Sequence, residues 1–130
     1  MLVSFHAITG NAVYCRLNND LSSIYSTLTL IGTGTNAAAD RATNTDRIEA
    51  YAVNSTTIPT LASFDICSYA ANIFKTVLLQ FAADLNGSGN VVRKVGLYRS
   101  TTAISSINLT LSSGNFATGT TATLYGILAA

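Results

Sequence analysis

The stretch Ile104-Ser105-Ser106-Ile107-Asn108-Leu109-Thr110-Leu111 decides the fold class, because it alternates apolar and polar residues from Ile107 onward. Such a period of two is typical of a β-strand with one buried face. It lies within residues 91–130, which we interpret as three strands joined by tight turns. Gly114 and Gly119 mark the two turns that follow it, since glycine tolerates the positive φ that tight turns require. We expect these strands to lie side by side and to offer one apolar face to a partner sheet.

The same alternation recurs upstream. Residues 12–17 place Val13, Cys15 and Leu17 on one face, and further strands are predicted within residues 2–8, 23–31, 47–53, 61–67, 73–83 and 91–99. Residues 73–83 also permit a helix by composition, but the glycine-rich hairpin signal at residues 86–90 favours a strand. Residues 32–45 are small and polar, and we expect an exposed loop there. Residues 54–60 contain the only proline and are expected to form a second loop.

Eight or nine strands at regular spacing predict an all-β fold, an antiparallel β-sandwich of jelly-roll-like type. At 130 residues the chain is most simply a single domain spanning residues 1–130. Hydrophobic residues make up 48% of it, and charged residues only 10%. That charge content is well under the roughly 25% of ordinary soluble domains, so the composition favours a protein that covers much of its surface in an assembly.

Charge and hydropathy exclude several partners. The net charge is +1 and the basic residues are scattered, which predicts no nucleic-acid partner. No apolar run is long enough for a transmembrane helix, so no membrane association is expected. Cys15 and Cys67 are expected to be free thiols buried on strands, since no secretion signal precedes them.

Candidate catalytic groups are few. His6 is alone and reads as a structural residue of the first strand. Asp40 and Asp46 with Asn44 form a conceivable calcium site, but their spacing matches no dedicated loop, and a solvated loop is the favoured interpretation. Two distant carboxylates could in principle serve a glycosidase. We expect no enzymatic activity, no cofactor and no metal.

Aromatic residues offer one alternative. Tyr25, Tyr51 and Tyr98 could stack on a glycan, because sugar-binding faces use aromatic platforms. The favoured interpretation is that these tyrosines flank the core and keep their hydroxyl groups in contact with water.

Three stretches resemble a known family. Gly114-Asn115-Phe116-Ala117-Thr118-Gly119-Thr120-Thr121-Ala122-Thr123-Leu124-Tyr125-Gly126-Ile127 is similar to the "GNF..G(S/T)...LYGI" ending of many tailed-bacteriophage virion proteins. Residues 98–107 resemble that family's "aromatic-x-S/T-T-x-A-I-x-x-I" segment, and residues 66–75 resemble its "I-x-x-Y-x-x-x-x-x-K" element. Together they cover about a third of the chain.

The resemblance implies a β-sandwich domain that assembles as a homotrimer on the virion. It implies structural roles for Gly114 and Gly119 in turns and for Phe116, Leu124 and Ile127 in the core. Asn115, Tyr125 and Gly126 complete the structural motif, and no catalytic residue is implied.

Two roles occur in that family: capsid decoration (cement) proteins, and receptor-binding tips of tail or head fibres. Strand signals run through nearly all of the sequence and leave no room for a fibre shaft, so we expect a decoration protein that stabilises the head shell. Its partners would be further copies of itself and the major capsid protein or other virion proteins, with assembly in the host cytoplasm. The receptor-binding alternative would add a host-surface glycan. The candidate contact loops carry the following residues: Asn36, Asp40, Arg41, Asn54, Ile58 and Pro59.

Overall fold

The computed structural model describes residues 2–5, 12–50, 58 and 60–126. Within these residues the chain forms the following strands: β1 (Leu2–Phe5), β2 (Val13–Leu17), β3 (Tyr25–Gly32), β4 (Ala37–Thr45), β5 (Ile48–Ala50), β6 (Thr60–Ile66), β7 (Lys75–Asp84), β8 (Gly89–Tyr98), β9 (Ile107–Leu111) and β10 (Thr121–Thr123). No helix occurs among them, so none is long and apolar enough to cross a membrane. The all-β prediction is confirmed.

The strands form two antiparallel sheets that pack face to face. The large sheet has the order β10-β1-β6-β7-β8-β3-β4, and the small sheet has the order β5-β2-β9. In the described chain β1 pairs with β10 and β2 pairs with β9, so the first strands pair with the last ones. The predicted β-sandwich is therefore confirmed, with its strands divided seven and three.

The core lies between the two sheets. The small sheet contributes Val13, Cys15, Leu17, Ile48 and Ala50, and the large sheet contributes Tyr25, Ala62, Phe64, Val77, Leu79, Phe81, Val92 and Tyr98. The predicted face of β2 is confirmed, because its three alternate residues are all buried. The hairpin between β7 and β8 is confirmed as well. Asn86, Gly87 and Gly89 have positive φ there, as the turn requires.

The two sheets are in close contact at Gly96 on β8. A methyl group at this position would lie 2.5 Å from Cδ1 of Ile48, which is fully buried on β5. Glycine is therefore required here for close packing and not for a special backbone angle. The missing side chain leaves the space that Ile48 occupies.

The prediction that residues 32–45 form a loop is wrong. Ala37–Thr45 is the edge strand β4, which pairs with β3 along its whole length after a short turn. The turn closes where the Thr33 amide donates to the Asn36 carbonyl over 2.9 Å, with Gly34 at positive φ. The pairing with β3 satisfies the backbone of a segment whose alanine, asparagine and aspartate residues have low intrinsic β-propensity. Its side chains are exposed or half-buried on both faces.

The prediction that the C-terminal strands lie side by side is also wrong. β8 and β10 belong to the large sheet, whereas β9 pairs with β2 in the small sheet. The chain therefore crosses between sheets twice after Tyr98. Local alternation shows that a segment is a strand, but hydrogen-bonding partners across the sandwich decide which sheet it joins.

Candidate interaction surface

The outer face of the large sheet is the main candidate site. We use "outer face" for the residues of β6, β7, β8, β3 and β4 that point away from the small sheet. Its large apolar members are 40–65% exposed: Leu28, Leu30, Leu61, Leu78, Val91 and Val95. Their combined patch is about 500 Å², at the upper end of what soluble monomers usually expose. Patches of this size are often functional, which makes the outer face a candidate interaction surface.

The strand register arranges these residues in rows across the sheet. The central row is Asp65, Leu78, Val95, Leu28 and Arg41, in the order β6 to β4. Three apolar side chains thus occupy the middle of the row, with a carboxylate at one end and a guanidinium at the other. All five side chains are exposed. The row is therefore apolar in the centre and oppositely charged at its two ends.

The neighbouring row is more polar. It reads Ser63, Gln80, Arg93, Leu30 and Ala39 in the same strand order. A shallow depression of about 500 Å³ lies over both rows, lined mainly by leucine, valine and the Arg93 side chain. The small Ala39 side chain leaves room on the β4 side of Leu30. This depression has the shape and the apolar lining of a protein contact surface.

The inner face explains why leucines face outward on β3. Tyr25, Thr27 and Thr29 are buried on the inner face, while Leu28 and Leu30 are exposed. The buried Lys94 on β8 lies on the same inner face, and its Nζ donates a hydrogen bond to the Glu49 carbonyl of β5 over 2.6 Å. Burial lowers the pKa of Lys94. This polar bridge ties the two sheets together and leaves the apolar alternate residues of β3 on the outside.

Tyr25 and Tyr98 do not form a glycan platform. Both are fully buried, and their rings stack with centroids 4.9 Å apart. The Tyr25 hydroxyl donates to the Leu17 carbonyl and accepts from the Leu17 amide, and the Tyr98 hydroxyl donates to Asp20 over 3.1 Å. Burial raises the pKa of both tyrosines. The glycan prediction is therefore wrong for these two residues, because facing positions on β3 and β8 place both on the inner face; Tyr51 lies outside the described residues.

The Asp20 carboxylate accepts the hydrogen bond of the Tyr98 hydroxyl at the edge of this tyrosine pair. It accepts hydrogen bonds from the Ser22 hydroxyl and amide as well as from Tyr98. The Ser22 hydroxyl contributes most to holding the pKa of Asp20 below its ordinary value. Asp20 is thus a structural acceptor at the start of β3.

Only part of the C-terminal motif has the roles implied by the resemblance. Gly114 and Gly119 have positive φ of 71° and 90°, as glycines in tight turns do. Phe116 is 37% exposed, Leu124 66% and Tyr125 69%, so the prediction that Phe116 and Leu124 are core residues is wrong. β10 ends at Thr123, and its three residues are exposed. Asn115 and Gly126 are exposed, and Ile127 lies outside the described residues.

A second hollow lies next to this C-terminal segment. Its volume is about 280 Å³, and it is lined by Tyr69, Tyr125, Leu124 and three isoleucines among other residues. The Ile104 amide donates to the Tyr69 carbonyl over 2.8 Å, which fixes the loop on one side. The hollow presents two exposed tyrosines, neither of which the sequence analysis proposed as part of a glycan platform.

Lys75 holds the loop between β6 and β7, which contains Tyr69, against the segment that follows β8. Its side chain is fully buried, and its Nζ donates to the carbonyls of Ala71 and Ile73 at 2.7 and 2.5 Å and of Ser100 and Thr101 at 3.4 and 3.3 Å. The lysine of the family-like segment at residues 66–75 is therefore a structural clamp between two loops.

The candidate contact residues fall into three groups. Asn36 is in the β3–β4 turn, and Asp40 and Arg41 are exposed on β4 itself, so the latter two are strand residues and not loop residues. Ile58 is half-buried. Asn54 and Pro59 lie outside the described residues.

The acidic residues do not assemble a calcium site. Asp46 accepts a hydrogen bond from Arg16 over 2.6 Å and pairs with Arg47 over 2.5 Å, while Asp40 lies on β4. The Arg16 hydrogen bond holds the pKa of Asp46 below its ordinary value. Among the described residues no group of three or more His, Cys, Asp or Glu side chains is placed to hold a metal ion.

The two cysteines differ in environment. Both are free; Cys15 is buried on β2 as predicted, and Cys67 is exposed just after β6, where burial was expected. Burial raises the pKa of the Cys15 thiol to about 12.

Comparisons of this chain with family models, with curated proteins and with solved structures each gave no match. Function is therefore inferred from the outer face and from the resemblance of the C-terminal segment.

Proposed function

We propose that the chain is a structural component of a bacteriophage particle, a non-catalytic decoration (cement) protein that binds the head shell as a homotrimer. The observation that carries the proposal is the exposed apolar outer face of the large sheet in a chain with only 10% charged residues. Such a surface, combined with so little charge, suits a subunit whose faces are covered. The C-terminal resemblance supplies the virion context.

The proposed mechanism is stabilisation by several weak contacts. A trimer would span joints between capsid subunits, and three linked contacts add avidity without any one of them being large. The candidates for contact with the shell that the structure describes are Asn36 in the β3–β4 turn and Asp40 and Arg41 on the exposed edge strand β4. Because the net charge is only +1, apolar area and hydrogen bonds would dominate this contact. High salt should therefore weaken it little.

A receptor-binding tip is the second candidate function. The buried Tyr25–Tyr98 pair no longer supports it, but the hollow beside Tyr69 and Tyr125 does, because exposed aromatic rings around a concave site suit a sugar. In that case the site would lie at the end of β10 and not on the outer face.

Location and copy number on intact particles distinguish the two functions. Quantitative mass spectrometry of purified particles, combined with antibody labelling seen by electron microscopy, measures both. The decoration proposal predicts many copies spread over the head. A few copies confined to fibre tips, with binding of host-surface glycans that is lost in the Tyr69→Ala variant, would contradict it and support the receptor-binding function.

A further inference from the structure

We propose that the outer face of the large sheet is a two-fold contact between two copies of this chain. The occupant of the apolar patch is thus the same patch on a second copy. This inference goes beyond the proposed virion role and does not depend on it.

The first step is the symmetry of the central row. Val95 is on β8, the middle of the five strands β6-β7-β8-β3-β4. Neighbouring strands are about 4.8 Å apart, so Leu78 and Leu28 lie about 5 Å to either side of Val95. Asp65 and Arg41 lie about 10 Å to either side. Apolar groups are thus balanced about the centre, and opposite charges stand at equal distances from it.

The second step is the operation that this pattern permits. A two-fold axis parallel to β8 and passing over Val95 places Val95 against Val95, and Leu78 against Leu28 of the second copy. It also places Asp65 opposite Arg41 of the second copy, and this pair occurs twice because the contact is isologous. A two-fold axis perpendicular to the strands would instead place Asp65 opposite Asp65 and Arg41 opposite Arg41. Both axes keep the strands of the two faces aligned, as in packed sheets, so charge decides between them and favours the parallel axis.

The third step is the area. Two patches of about 500 Å² would together remove about 1,000 Å² of apolar surface from water, before the flanking polar residues are counted. This is the level at which specific interfaces begin. The depression over the two rows provides space for the side chains of the second copy.

The neighbouring row supplies a distinguishing prediction. Arg93 is on β8, so the same axis brings it close to Arg93 of the second copy. Like charges at this position weaken the contact. Removal of the Arg93 charge should therefore strengthen association, whereas reversal of the Arg41 charge should weaken it.

The contact is compatible with the proposed trimer. A three-fold contact would use other surfaces, and the two-fold contact would then join neighbouring trimers. The chain alone would thus form dimers, or hexamers if the three-fold contact also forms in solution. Either assembly loses half of its mass when the two-fold contact is broken.

Sedimentation equilibrium of the full chain tests the inference, with circular dichroism to check that each variant is folded. Asp65→Arg and Arg41→Asp should each halve the mass and raise the dissociation constant about tenfold or more, because both place like charges opposite each other. The double variant Asp65→Arg with Arg41→Asp should restore the wild-type mass. Arg93→Gln should lower the dissociation constant. Thr102→Arg is the control, since Thr102 is exposed between β8 and β9 and does not belong to the outer face.

Three results would overturn the inference. The first is a wild-type chain that is monomeric at micromolar concentration. The second is a trimer whose mass no outer-face variant changes, which would leave the decoration proposal standing without this contact. The third is a double variant that remains as weakly associated as the single variants.

Discussion

Single residues in this chain have roles that depend on which face of a strand they occupy. Cys15 and Cys67 are chemically identical, yet one is buried on β2 and the other is exposed after β6. The alternation of residues 12–17 predicted the burial of Cys15. It gave no such information for Cys67, because β6 ends one residue before it. Exposure at a strand end depends on the neighbouring loop and not on the local pattern.

The thiols should therefore react at different stages. In the native protein at pH 8, a thiol reagent should modify Cys67 and leave Cys15 unmodified, since the pKa of Cys15 is raised to about 12 and its side chain is inaccessible. Adding denaturant without reductant should expose the second thiol. Mass spectrometry of the modified protein measures both stages, and a quantitative disulfide would contradict the prediction.

Acid should weaken the contact between Asp46 and Arg16. The pKa of Asp46 in the folded protein lies below the ordinary value of 3.8. Its ionised form therefore contributes stability that is complete above that value and is lost as the pH falls through the folded pKa. Asp46→Asn should be less stable than the wild type at pH 7 and should lose less stability on acidification.

Urea unfolding at a series of pH values tests this prediction. Asp20 has a lowered pKa as well, so part of the acid dependence should remain in the variant. Asp20→Asn is the matched comparison and should remove that part. Identical pH profiles for Asp46→Asn and the wild type would show that the ion pair with Arg16 contributes nothing to stability.

Strands and their pairing show where sequence prediction succeeds and where it ends. β2 has apolar residues on one face only, so its buried side was predictable. β3 has leucine on one face and tyrosine with threonine on the other, and both alternations fit a strand equally well. The outward direction of its leucines follows from Tyr25 and Lys94, whose polar partners Leu17 and Glu49 are on the small sheet. Glu49 is 45 residues from Lys94 in the sequence, and local alternation does not reveal such a pairing, so the outer face was not found.

The edge strand β4 was missed for a different reason. Its residues have weak intrinsic preference for extended structure, and its pairing with β3 supplies the missing stabilisation. The C-terminal segment shows the converse error, because the apolar Phe116 and Leu124 fit a core by composition but are exposed. In both segments the position in the fold, more than the local sequence, determines whether a strand forms and whether its side chains are buried.

The packing of β8 against β5 makes a stability prediction. Gly96→Ala should reduce the free energy of unfolding by about 1–3 kcal/mol, because the added methyl group overlaps Ile48 in a closed core. Gly32→Ala is the matched control, since the nearest atom to its added methyl group is 4.0 Å away. Chemical denaturation measures both variants. Equal stability of the two variants would contradict the close approach of the sheets at Gly96.

At the scale of the whole molecule, the two sheets have unequal exposure to water. The small sheet covers the inner face of the large sheet, and the outer face keeps its leucine and valine side chains exposed. The composition already indicated an assembly, through its low charge. The surface that assembles became visible only when the register placed Asp65 and Arg41 at opposite ends of one row. The proposed two-fold contact requires the outer face to be covered by a second copy of the chain. The proposed virion role requires the outer face, or the edge strand beside it, to be covered in the assembled particle.

Hydroxyl-radical footprinting of the assembled protein tests this central claim most directly. Leu28 and Leu78 on the outer face should be strongly protected in assembled particles compared with the dilute Asp65→Arg variant, which exposes the face. Leu21, which is 64% exposed outside the outer face, is the internal control for reagent access. The account predicts protection of Leu28 and Leu78 that Leu21 does not share. Equal oxidation of Leu28 and Leu78 in the assembled and dissociated states would contradict it.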